Sequence, residues 1–78
     1  MQIRDDRSLG HALRRSRLAK GMNQEQLGLR THLRQKTISD IEQGNGGTTK
    51  TLFKILAALG LDLDVRQRTD NDIHPELY

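Results

Sequence analysis

Seventy-eight residues without cysteine, and with Phe53 and Tyr78 as the two aromatic side chains, make one domain with an aliphatic core. Disulfides and thiolate metal sites are excluded, and so small a core favours help from a second subunit. The net charge of +3 is unevenly placed: residues 1–44 carry nine basic and five acidic side chains, residues 45–78 four and five. A basic front half suits a polyanion, and a neutral-to-acidic rear half suits a protein contact. No apolar run reaches membrane-spanning length and no signal peptide opens the chain, so a cytoplasmic protein without membrane association is expected.

Four helices are predicted. The first opens on Ser8 as N-cap and runs to about Lys20, with Leu9, Ala12, Leu13 and Ser16 as its inner stripe and Gly21 as its stop. Arg14, Arg15 and Lys20 point outward. Asn23 caps the second helix, Gln26 completes a capping box, and Met22 and Leu27 have the spacing of a hydrophobic staple. The third helix follows after a three-residue turn, with Ile38 and Ile41 on its inner face and Gly44 closing it. Asn45, Gly46 and Gly47 form a loop. Thr48 caps a fourth helix whose apolar residues Leu52, Ile55, Leu56 and Leu59 keep a helical period, widened by Phe53 and ended by Gly60. Leu61, Leu63 and Val65 then alternate with Asp62, Asp64 and Arg66, which is strand patterning. Thr69–Tyr78, with three acidic residues, no basic one and the chain's one proline, reads as a mobile tail.

Helices over 24–31 and 35–43 joined by a short turn make a helix-turn-helix. The stretch NQEQLGLRTHLRQKTISDIEQG, residues 23–44, resembles the Cro/phage-repressor (XRE) family through Gln24, Glu25, Leu27, Thr37, Ile38, Ser39, Ile41, Glu42 and Gly44. The flanking ALRRSRLAKGM and TLFKILAALGL are similar to that family's neighbouring helices, so the resemblance spans roughly residues 8–61. Three positions depart from the pattern. Gly28 replaces a small alanine at a helix-propensity cost of about 1 kcal/mol. His32 replaces the turn glycine and must accept a left-handed backbone. Arg34 stands where a capping serine is usual. The resemblance also implies that Arg17 pairs with Glu42, as a structural ion pair.

A recognition helix enters the major groove N-terminus first, so side chains on its opening turns meet base edges. Gln35 can bridge adenine and Lys36 favours guanine. Thr37 and Ser39 can reach bases or phosphates. Gln24 begins the second helix, whose free N–H groups suit a phosphate, and Arg34 adds charge at that edge. Lys50 and Arg15 are weaker candidates, for phosphate alone.

A single strand over residues 61–68 cannot satisfy its own backbone. Pairing with the same strand of a second copy, through Leu61, Leu63 and Val65, solves this and sets two recognition helices for a palindromic operator. The stretch GTTKTLFKILAALGLDLDVRQR resembles HipB-type antitoxins, which implies an autoregulating repressor that holds a HipA-type kinase toxin inactive. The alternative is a phage-type or general regulator with no toxin.

No enzyme is expected: there is no cysteine nucleophile, no glycine-rich phosphate loop, and His11, His32 and His74 lack metal-ligand spacing. No cofactor or metal is expected. The fold expected is all-α: a four-helix helix-turn-helix domain over 8–60, an intersubunit β-strand over 61–68, and the tail over 69–78. The partners expected are double-stranded DNA, a second copy and a kinase toxin.

Overall fold

The structure, a computed structural model, describes residues 2–68; the expected tail over 69–78 lies outside them. Its first helix begins earlier than Ser8. Asp5 is the N-cap: its Oδ1 accepts from the Ser8 amide at 2.7 Å, while the Ser8 hydroxyl accepts from the Asp5 amide at 3.2 Å. Ser8 therefore sits inside the first turn and closes a capping box, and the aspartate takes the cap because a charged acceptor suits the helix N-terminus better. Hydrogen bonding from Ser8, its backbone amide first, holds the Asp5 carboxyl below its ordinary range. A lowered folded value means that the cap's contribution is present at neutral pH and fades in acid, as pH falls through that value.

The helices are α1 (Asp6–Ala19), α2 (Gln24–Thr31), α3 (Gln35–Glu42) and α4 (Thr49–Leu59). At the start of α2, Asn23 Oδ1 accepts from the Gln26 amide at 2.7 Å, and Gln26 Oε1 accepts from the Asn23 amide at 2.8 Å. At the start of α4, Thr48 Oγ1 accepts from the Thr51 amide at 3.1 Å. The α2–α3 turn runs through His32 in the left-handed conformation, φ 57°.

α1 packs on α3 and α4, and α2 packs on the same two helices. Between them lies an aliphatic core of Leu13, Met22, Leu27, Ile38, Ile41, Ile55, Leu56 and Leu59. Leu9, Leu33, Leu52 and Leu61 cover its edges. Phe53 does not join them: it is half exposed on the outside of α4. Among the described residues no helix is long and apolar enough to cross a membrane.

No strand forms over the described part of the C-terminal segment, and residues 61–68 carry no regular secondary structure in the single chain. The physical reason is the one that motivates a partner: one strand has nothing to pair with. Leu61 lies against the core, Leu63 is half exposed, and Val65 is 89% exposed.

Two glycines explain how closely the helices approach. A β-carbon on Gly10 would meet the carbonyl oxygens of Ile41 and Glu42, so α1 crosses the end of α3 backbone to backbone. A β-carbon on Gly28 would lie 2.7 Å from the Leu33 carbonyl oxygen, whose own amide donates to the Gly28 carbonyl at 2.9 Å. Gly28 is thus a packing requirement of the tight turn, and the propensity argument that favours alanine there is outweighed. Gly28→Ala is expected to destabilise the domain by about 1–3 kcal/mol, the usual range for overpacking. Urea unfolding checks this, and an unchanged or raised midpoint would refute it.

Candidate nucleic-acid interface

α3 presents its first turn to solvent. Arg34, Gln35 and Lys36 are all exposed, and Arg34, at the N-cap position, makes no side-chain capping bond. The opening N–H groups of α3 therefore lack an internal side-chain acceptor, and the dipole leaves positive potential there. Lys36 Nζ rests 3.3 Å from Asp40 Oδ2, one turn further along. An exposed pair of this kind is worth about 0–1 kcal/mol, so Lys36 can leave it at little cost. Asp40 was not singled out from the sequence, although its i,i+4 spacing from Lys36 is a visible signal.

Thr37 and Ser39 are half buried on the flanks of α3. The Ser39 hydroxyl accepts from Gln43 Nε2 at 3.3 Å, which adds Gln43 to the exposed polar residues at the end of the helix. Lys50 is exposed on the first turn of α4, and Arg15 is exposed on α1.

The opposite end of α3 is tied down. Arg17 Nε donates to Glu42 Oε2 at 2.6 Å and Arg17 Nη2 to Glu42 Oε1 at 2.9 Å. Arg17 Nη1 donates to the Met22 carbonyl at 2.8 Å, and Gln24 Nε2 donates to Glu42 Oε1 at 3.2 Å. Both charged side chains are almost wholly buried, at 6% and 4% exposure. The hydrogen bonds from Arg17 to Glu42 raise the guanidinium above its ordinary range despite burial, so it stays charged at any physiological pH. Gln24 is consequently a member of this network and sits with Glu42, not with Gln35 and Lys36. The two groups of polar residues occupy opposite ends of an eight-residue helix, about 10 Å apart along its axis.

The short second and third helices, the left-handed turn between them and the exposed face of α3 define a helix-turn-helix domain. Residues 13–65 match the Helix-turn-helix family, and the chain belongs to it as a member of the Cro/phage-repressor type. Its relatives narrow the likeness. The Mycobacterium tuberculosis protein described as antitoxin HigA2 is 37% identical over 62 residues, covering 77% of this chain and 61% of that protein. The chain thus spans less than two thirds of that relative's length. A HipB–O4 20mer complex superposes with a TM-score of 0.79 at 29% identity, over 86% of this chain and 96% of that one. A HipA–HipB–O2–O3 complex gives 0.78 at the same identity and coverage. The restriction-modification controller C.AhdI of Aeromonas hydrophila gives 0.68 at 28% identity, over 72% and 83% of the two chains. The chain is therefore a helix-turn-helix DNA-binding protein that resembles HipB and HigA antitoxins, in a family that is not enzymatic.

Removing one member of the buried ion pair leaves the other charge without compensation. Arg17→Met or Glu42→Leu alone is expected to cost about 3–5 kcal/mol, and the double replacement should recover most of it. A double-mutant cycle by urea unfolding measures the coupling. Additive single losses would show that the pair does not hold α1 to α3.

Proposed function

We propose that this chain is a sequence-specific repressor that binds a palindromic operator as a homodimer, and that it is the antitoxin of a HipA-type kinase toxin and autoregulator of its own operon. The observation that carries the DNA reading is the first turn of α3, where Gln35 and Lys36 are exposed beside Arg34, which makes no side-chain capping bond. Gln35 and Lys36 read base edges. Arg34, Lys50 and the N-terminus of α2 at Gln24 hold phosphates, and Thr37 and Ser39 contribute from the flanks.

The dimer reading rests on exposed apolar side chains in a segment without a pairing partner. Leu63 and Val65 lie open to solvent, and Phe53 adds a third exposed apolar residue on the preceding helix. Pairing residues 61–68 across a two-fold axis covers the strand edge and spaces two copies of α3 for a symmetric site. A cytoplasmic location goes with this function.

The toxin reading is supported by likeness to HipB, one of whose structures includes HipA, and to an antitoxin-described relative. A second reading, a regulator with no toxin, is favoured by the likeness to a restriction-modification controller. Co-purification of the neighbouring gene's product with this chain would decide for the first; a neighbour that is not retained would decide for the second.

Selection from a random duplex pool is expected to return a two-fold symmetric sequence. Gln35→Ala or Lys36→Ala should weaken binding to it by about 1–3 kcal/mol and relax preference at one or two base pairs per half-site. Equal weakening on every duplex would reassign both to phosphate contact. Leu63→Pro removes a donor from the proposed ladder and should weaken self-association. A dimer of unchanged affinity in sedimentation equilibrium would place the interface elsewhere.

A further inference from the structure

Arg7, His11 and Arg14 recur at helical spacing on α1 and line one wall of a shallow, open groove. The other wall is Glu42 and Gln43, at the C-terminal end of α3. All three α1 side chains are exposed, and neither arginine has a carboxylate within ion-pairing distance among the described residues. Glu42 does not neutralise them, because both its oxygens are taken by Arg17 and Gln24. The same network places the N-terminus of α2 beside this end of α3. The groove is held in place by the backbone: a β-carbon on Gly44 would stand 2.9 Å from the Arg7 α-carbon, so the start of α1 is pressed against the exit from α3.

We propose that Arg7 and Arg14 form a phosphate-binding row that extends the DNA interface from the α2 N-terminus along α1, and that they take part in operator binding without reading bases. This rests on the DNA-binding function proposed above. The chemistry fits the partner. Two exposed guanidinium groups seven residues apart lie roughly 10 Å apart along the helix, and phosphates on one strand advance about 3.4 Å along the duplex axis. The two arginines can therefore meet separate phosphates. The row is also continuous with the end of the recognition helix, so a duplex held against α3 passes close to it.

The test is the salt dependence of binding to the duplex selected from a random pool, for the wild type and for Arg7→Gln/Arg14→Gln. Each lost phosphate contact lowers the slope of log affinity against log salt by about 0.9. The double variant should therefore be shallower by about 1.8 for each bound protomer, so that raising salt fourfold costs each protomer about twelve-fold less affinity. Its selected sequence should be unchanged, which separates it from variants at Gln35 and Lys36. Arg7→Lys/Arg14→Lys keeps the charge and should restore the slope. An unchanged slope, an altered base preference, or no recovery with lysine would each overturn the inference while the DNA-binding reading stands. Failure of the wild type to select any sequence would overturn both.

Discussion

A carboxylate on α3 and a guanidinium on α1, 25 residues apart, meet in a bidentate pair inside a domain with no aromatic side chain in its core. The same carboxylate receives Gln24 from α2, and the same guanidinium reaches the Met22 carbonyl just before α2. One buried charge pair thus joins three helices. Burying two charges is costly, and the geometry offsets that only because no buried side-chain polar atom among the described residues is left without a partner. Directional bonds fix the angle of α3 in a way that aliphatic contacts, which are non-directional, do not.

The consequence is a recognition helix with two different ends. Its C-terminal end is locked to α1 and α2, while its N-terminal end, uncapped by any side chain, projects Arg34, Gln35 and Lys36 into solvent. Rigid support behind an exposed polar edge favours binding there, since a loosely held helix would lose binding energy to its own ordering. The close crossing at Gly10 serves the same end, because it lets the α1 backbone lie directly against the last carbonyls of α3.

The C-terminal segment is built on another principle. Leu56 and Leu59 finish the core, Gly60 turns the chain in a left-handed conformation, and Leu61 makes a last contact with the domain. Leu61 packs against the core because it is within reach, whereas among the described residues Leu63 stays half exposed and Val65 almost wholly so. Phe53, on α4, is likewise apolar, exposed and outside the core.

The helices themselves were legible in the chain, because their signals are local. Asn23 with Gln26, Thr48, Gly60 and the apolar period of the fourth helix act over three or four residues, and the structure has α2 on the span those signals predict. The fold class followed from their order. The first cap was misplaced for a local reason too: Asp5 and Ser8 are both good caps, and the box they form together has its start on the earlier one. Of the features created when distant segments meet, the Arg17–Glu42 pair was implied by the family resemblance, and the close approaches were not. Gly28 looks like a weak helix residue until the Leu33 carbonyl is brought against it, and Phe53 looks like core until the aliphatic residues have filled the space. The groove between Arg7, Arg14 and Gln43 exists only once α1 lies across the end of α3. Capping and periodicity are written in neighbouring residues, whereas close approach and the recruitment of Gln24 to the Glu42 carboxylate depend on contacts far apart in sequence, which the tertiary fold alone decides.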